Sequence, residues 1–350
     1  MTGLVEARGA VAQVCAIRDG RVIIDRSFGC GPDALFLLFS AGKPFTAVLV
    51  HLLAERGLVD LDAPVARHWP EFGRHGKDTI TIRQVLQHRS GVPVARGLWR
   101  DALAATSWSR SVRALERARP LFPPGQAPAY HILSYGFILG ELIQRVTRSD
   151  LRSVMRTELL DPLGLADTWL GLPAPLWKRH VPVRASGAGG KARELVFNRR
   201  AVRQAVIPAA TVSSTARDLA RFYQMLLGGG ELDGARVLAR ATIAQARQPS
   251  SDGQADRLLH LPVRWSQGFQ LGGPPPDPGR PRPLGSRSSP EAFGHNGSNC
   301  CIGWADPARG LVFAYLTNRL TTGLEASPHM SRVSDAILAA CPEACDETGR

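Results

Sequence analysis

The sequence predicts an α/β (α+β) protein: one antiparallel sheet built from both ends of the chain, flanked by helices, with an all-helical insertion between them. Three observations lead there. Two strand-like runs joined by Asp19-Gly20 open the chain, strand-like runs close it, and residues from about 61 to 199 read as short helices punctuated by Pro and Gly. Strands at both termini with helices between them fit one layered body, and the 350 residues are read as a single domain. Its α/β part covers about 1–60 and 200–350, and its helical part about 61–199.

Each element has a local reason. In "VAQVCAIRDGRVIIDRSFG" the Asp-Gly pair between two β-rich runs is a strong hairpin signal. In "LLFSAGKPFTAVLVHLL", Phe45, Val48, Leu49, Leu52 and Leu53 recur at helical spacing and Gly57 is a stop. Pro44 is tolerated only in a first turn, so this helix is expected to begin close to Ser40. "TIRQVLQHRSGVP", "SVRALERA", "SYGFILGELIQRVT" and "DLRSVMRTELLDPLG" follow as short helices. "SSTARDLARFYQMLL" offers a Ser/Thr cap and an apolar stripe of Leu219, Phe222, Tyr223 and Leu226. Residues 273–290 are so rich in Pro, Gly and Arg that an exposed loop is expected. "CCIGWADP" and "LVFAYLTN" read as strands, and a last helix is placed near 328–340.

Composition excludes several classes. The net charge is +13, yet the basic residues are scattered singly or in pairs, with no zinc-finger spacing and no aromatic-basic interleaving. No specific nucleic-acid binding is expected; a positive surface that attracts anions is the plainer reading. The six cysteines form no C-x-x-C pair, the N-terminus lacks a signal-peptide pattern, and no membrane span is present. A reduced, cytoplasmic protein is the expectation. Neither metal nor organic cofactor is expected, because H-E-x-x-H and strand-borne G-x-G-x-x-G are missing. The G-x-S-x-G elbow is missing too.

Three stretches carry chemistry-bearing residues. Only four lysines occur, and Lys43 stands three residues after Ser40. At that spacing the two share a helical face, and a lysine that loses its proton through burial can serve as a base where arginine cannot. The Ser40 backbone N–H in such a first turn is free to hold an oxyanion. Alone, the pattern is better read as a capping serine beside a solvated lysine. Tyr130 follows a Pro-Gly turn and precedes an amphipathic helix, so it is either a proton shuttle in a cleft or a core tyrosine. Tyr135 and Tyr223 lie within helical stripes and read as core. His295-Asn296-Gly297 heads a strand whose exposed edge would offer backbone groups to a substrate, with Gly297 permitting close approach. For His295 alone, a structural histidine is the plainer reading.

Jointly, and in this order, the three stretches resemble the serine β-lactamase-like family of class C β-lactamases, DD-peptidases and family VIII-type esterases and transacylases. The resemblance rests on Ser40 to Lys43 as S-x-x-K, Tyr130-His131-Ile132 as the second motif and His295-Asn296-Gly297 as the third. "GLVDLDAPVARHWPEF", "LLDPLGLADTWLGLP" and "ADPARGLVFAYLTN" also look like family segments, so the likeness spans nearly the whole chain.

The resemblance implies a β-lactamase/transpeptidase-like fold and a small-molecule ester or acyl substrate. Ser40 would be acylated, and Lys43 and Tyr130 would share acid-base duty, either being the base. The backbone N–H groups of Ser40 and Ser298 would hold the oxyanion, and His131, His295, Asn296 and Gly297 would line the substrate. Ile132 stands where penicillin-recognising members have Asn, and His295 where they have Lys. Both departures resemble the esterase branch. A carboxylesterase is therefore the leading reading, ahead of a transacylase, then a β-lactamase or DD-peptidase, then an idle scaffold. "ELVFN" at 194–198 has the spacing of a deacylating motif of another class and is read as coincidence.

Overall fold

The computed structural model describes residues 2–6, 8, 11–187, 189–251, 253–275, 282–321 and 326–343, with backbone alone at 326 and 327. Helix α1 (Thr2–Glu6) precedes the hairpin of β1 (Ala12–Arg18) and β2 (Arg21–Phe28). Asp19 and Gly20 turn it with φ of 49° and 79°, the left-handed pair that matches the twist of the flanking strands. β3 (Phe36–Leu37) then enters a 3₁₀ turn (Phe39–Gly42), followed by α2 (Lys43–Glu55). The regular helix thus begins at Lys43, three residues later than expected. Pro44 does occupy its first turn, while Ser40 sits in the tighter 3₁₀ turn and no side chain caps that turn.

The central part holds α3 (Ile82–Leu86), α4 (Leu98–Ala104), α5 (Trp108–Arg117), α6 (Ser134–Thr147) and α7 (Leu151–Met155), which runs into a π turn. It is not purely helical: β4 (Trp169–Leu170) and β5 (Arg184–Ala185) precede α8 (Gly190–Asn198) and α9 (Arg200–Gln204). β4 and β3 pair with β6 (Val212–Ser214), tying the helical part to the turn that carries Ser40. Two-residue strands leave no periodicity in sequence, which is why the insertion reads as helices alone.

After β6 come α10 (Ala216–Leu227), capped by the Thr215 side chain, β7 (Glu231–Leu232), β8 (Ala235–Arg236) and α11 (Arg240–Ala246). β9 (Ala255–Asp256), β10 (Leu261–Pro262), β11 (Gln270–Leu271), β12 (Phe293–Gly297), β13 (Cys301–Asp306), β14 (Leu311–Thr317), β15 (Arg319–Leu320) and α12 (Ala326–Ala340) complete the chain. The main sheet has six strands in the order β11-β12-β13-β14-β1-β2, every pair antiparallel. Both termini build it, as expected. On one face Phe222 of α10 stacks on Phe45 of α2 at 4.1 Å; on the other, Trp304 Nε1 donates to Ser334 Oγ of α12 at 3.1 Å.

The expected exposed loop at 273–290 needs correction in part; residues 276–281 of it lie outside the described residues. Within 282–290, Leu284, Gly285, Ser288 and Ser289 are buried, while Arg287 and Pro290 are exposed. Leu284 is buried with Trp304 and Ile337, and Ser289 Oγ donates to the buried Asp306 at 2.7 Å. Composition misleads here because these glycines and serines close turns onto a helix. Among the described residues no helix is long and apolar enough to cross a membrane.

Candidate active site

The site forms where the Ser40 turn meets the end of β12. Phe39, just before Ser40, has φ of 50°, a left-handed backbone that a bulky residue adopts only under constraint. Such a conformation stores on the order of 1–3 kcal/mol. It is held by the Phe39 ring, packed edge-on against Phe197 at 5.0 Å, and by Leu38 N–H donating to Val212 O at 2.8 Å. Ser40 stays half-open while Lys43 is buried.

Lys43 Nζ lies 2.8 Å from Ser40 Oγ and 2.7 Å from the Tyr130 hydroxyl. Burial penalises the ammonium form and pushes the Lys43 pKa well below its ordinary value. Burial acts oppositely on Tyr130, raising its phenol, with hydrogen bonding to Ser40 pulling weakly downward. Burial thus favours the uncharged form of both groups that flank the serine hydroxyl, the amine and the phenol.

Tyr130 lies on the loop before α6 and is held from behind. Its ring stacks parallel to Trp265 at 5.3 Å, with 2° between the planes. Asp256, fully buried, accepts from Tyr130 N–H at 3.1 Å, from Trp265 Nε1 at 3.0 Å, and from the N–H groups of Leu258 and Leu259 at 2.9 Å each. No local sequence pattern marks Asp256 or Trp265, which reach Tyr130 from far along the chain. His88 and Ser90 lie inside the quoted "TIRQVLQHRSGVP" segment but carry no expected role; His88 Nδ1 accepts from His131 N–H at 3.1 Å.

His131 departs from the expectation that it lines the substrate. Its Nε2 contacts Ser90 Oγ at 2.5 Å and its Nδ1 contacts Ala129 O at 2.7 Å, so both ring nitrogens serve the loop. Burial lowers its pKa to about 4. Sequence order places His131 beside Tyr130, but its ring is fully buried against Ser90 and Ala129.

At the third stretch, Gly297 is required by packing: a Cβ there would stand 2.0 Å from Leu38 O and 3.0 Å from Ala41 N. The close approach is therefore to the Ser40 turn itself. Ser298 and Asn299, both with φ of 51°, form the two-residue turn closed by Cys300 N–H to Gly297 O at 2.9 Å. That bond leaves the Ser298 N–H unused by the turn. β11 pairs only with Phe293 and Gly294, and the edge expected beyond it at 295–297 is filled in part, where Asn296 N–H donates to Gln270 Oε1 at 3.0 Å. Asn296 Nδ2 donates to Asn299 Oδ1 at 2.7 Å. His295 is buried with its ring 6.1 Å from that of Tyr130; Nδ1 contacts Asn296 O at 2.8 Å, while Nε2 is without a partner among the described residues. Burial, then the nearby Lys43, lowers its pKa to about 3.

Glu194 and Asn198 of "ELVFN" are structural. Glu194 accepts from Ala185 N–H at 2.7 Å, and Asn198 bridges the backbone of Val183 at 2.8 Å on both sides. Tyr135 and Tyr223 are buried, as read. Among the described residues no three His, Cys, Asp or Glu side chains gather as a metal-ligand set.

A family model described as Beta-lactamase matches residues 1–334. Esterase/beta-lactamase LipL of Mycobacterium tuberculosis (strain ATCC 25618 / H37Rv) is 33% identical over an alignment of 325 residues that covers 85% of this chain and 72% of LipL. The crystal structure of a penicillin-binding protein homolog from Caulobacter crescentus shares 30% identity and a TM-score of 0.81, covering 97% of this chain and 96% of that one. A family VIII carboxylesterase structure shares 26% identity and a TM-score of 0.82 over 95% of each chain. Fold and relatives together define a serine hydrolase of penicillin-binding-protein architecture. The chain belongs to the beta-lactamase family.

Proposed function

We propose that the protein is a carboxylesterase working through an acyl-enzyme on Ser40. The observation that supports this most is the burial of His295, the first residue of the third stretch, which disfavours its charged form. His295, with a pKa of about 3, offers no fixed positive charge to a substrate carboxylate such as that of a penicillin or a peptide C-terminus. An uncharged ester needs none. The unpartnered Nε2 of His295 remains as a polar contact for such a substrate.

In this reading Lys43 is the base and Tyr130 the acid, because burial favours the neutral form of each. Ser40 Oγ attacks the ester carbonyl carbon while its proton passes to Lys43 Nζ, 2.8 Å away. The carbonyl oxygen becomes an oxyanion received by the N–H groups of Ser40 and Ser298. On collapse the C–O bond to the alcohol breaks, the alkoxide takes the Tyr130 proton, and Tyr130 recovers one from Lys43 across 2.7 Å. Water then enters where the alcohol left and the steps run in reverse, freeing the acid and Ser40. Gly297 and Asn296 support the site as the strand end packed on the Ser40 turn, and His131 as the residue that fixes the Tyr130 loop.

The test is a substrate comparison on the purified protein: p-nitrophenyl butyrate, nitrocefin and a D-Ala-D-Ala peptide. The expected order puts kcat/KM for the ester well above the other two. A β-lactam or peptide turned over faster than the ester overturns the proposal.

A further inference from the structure

Helix α4 is built the wrong way out for a core-facing helix. Trp99 and Leu103 are each 84% exposed, Leu98 and Ala102 are also exposed, and positions 99, 102 and 103 form one stripe at helical spacing. The polar Asp101 points inward instead, accepting from Ala95 N–H at 2.7 Å and Arg96 N–H at 3.2 Å. A solvated apolar stripe with an inward carboxylate is costly for a free surface and natural for a surface that meets something apolar.

The surroundings of the stripe are cationic. Between residues 96 and 119 stand Arg96, Arg100, Arg110, Arg113, Arg117 and Arg119, all exposed, against two acids. Both acids are occupied: Asp101 as above and in an ion pair with Arg96 at 3.4 Å, and Glu116 as the acceptor of Trp69 Nε1 at 3.2 Å, which leaves the other five arginines without an acid from this stretch. α5, which carries three of these arginines, packs beside α4 and buries its own apolar residues Val112, Ala114 and Leu115. The two packed helices thus expose indole and leucyl groups on α4 and guanidinium groups on α5.

We infer that α4, with the arginines of α5, docks on an anionic lipid surface. Tryptophan favours the headgroup level, leucine the acyl boundary just beneath, and arginine the lipid phosphates. A second copy of the chain fits worse, since a twofold pairing of this face would set arginines against arginines. The patch is linked to the candidate site: Ser134 Oγ, four residues beyond Tyr130, donates to Val92 O and Pro93 O at 2.9 and 2.8 Å, in the segment that leads to α4. Docking does not depend on the ester chemistry, so it is read by binding alone.

The experiment is flotation of the full-length protein with phosphatidylcholine vesicles, with and without phosphatidylglycerol, in low and high salt. Wild type is expected to float with the anionic vesicles in low salt and to be released by high salt. The W99S/L103S variant should stay at the bottom while retaining its circular dichroism and its hydrolysis of a water-soluble p-nitrophenyl ester. R110Q and R113Q should each weaken vesicle affinity about fivefold. Absence of flotation by wild type, or equal flotation of W99S/L103S, overturns the inference. So does a wild-type dimer in sedimentation equilibrium that W99S/L103S converts to monomer, which would make the stripe a self-association seam.

Discussion

Gly297 and Leu38 touch so closely that a methyl group on residue 297 would stand 2.0 Å from the Leu38 carbonyl oxygen. The added Cβ is fixed by its own backbone and the oxygen it meets is backbone, so no rotamer relieves the clash. Gly297→Ala is expected to push β12 away from the Ser40 turn. Overpacking of this kind costs about 1–3 kcal/mol. The Ser298 N–H would move with the strand, and losing one oxyanion donor costs on the order of a hundredfold in rate. Thermal unfolding and ester kcat/KM check both effects; a Gly297→Ala enzyme with wild-type kcat/KM contradicts the role given to this strand end.

Lys43 predicts a pH profile. Its folded pKa lies well below the ordinary lysine value of 10.5 because burial disfavours the charged form. In the proposed role of base Lys43 acts only when neutral, so kcat/KM should be high above the lowered pKa and fall as pH drops through it. Lys43→Arg keeps a cation but removes a titratable base, and hydrolysis should fall by on the order of 10²–10⁴-fold. An active Lys43→Arg enzyme would move the base role to Tyr130.

Buried histidines predict acid sensitivity of the fold. Burial lowers His51 and His131 to about 4 and His295 to about 3. Their folded pKa values lie below the unfolded value of about 6.5, so the unfolded chain binds more protons in the window between. Stability is therefore fully present above pH 6.5 and declines as pH falls from 6.5 toward 4. Tm measured across that range should drop steadily; a flat Tm contradicts the neutral-histidine reading that also underlies the ester preference.

Asp256 predicts a positioning effect. Its carboxylate holds Tyr130 N–H and Trp265 Nε1 together, at 3.1 and 3.0 Å. Asp256→Ala leaves these buried donors unsatisfied, which costs about 1–3 kcal/mol for each donor group. Because the phenol rather than the substrate is displaced, kcat should fall more than KM rises. Unchanged kcat in a folded Asp256→Ala protein removes Asp256 from the account.

Much of this was legible in the chain. The Asp19-Gly20 hairpin, the strands at both ends, the capped helix after Thr215 and the meeting of Ser40, Lys43 and Tyr130 follow from spacing, turn chemistry and family resemblance. Other features depend on contacts between distant segments. Asp256 and Trp265 approach Tyr130 only once β9 and β11 are in place, and nothing near them in sequence marks the meeting. Adjacency of His131 to Tyr130 in the chain says nothing of its ring, whose nitrogens contact Ser90 and Ala129. Leu284 and Ser289 were misread because a Pro/Gly-rich composition describes a turn-rich path without saying what lies beneath it. The 3₁₀ turn at Phe39–Gly42 escaped because its cause is tertiary: β12 presses on it through Gly297.

The most direct test of the central claim is covalent capture. Treated with a fluorophosphonate, the wild-type protein should gain one adduct by intact mass spectrometry, with peptide mapping placing it on Ser40, and Ser40→Ala should gain none. Equal labelling of Ser40→Ala would show that the reactive hydroxyl lies elsewhere and would contradict the account.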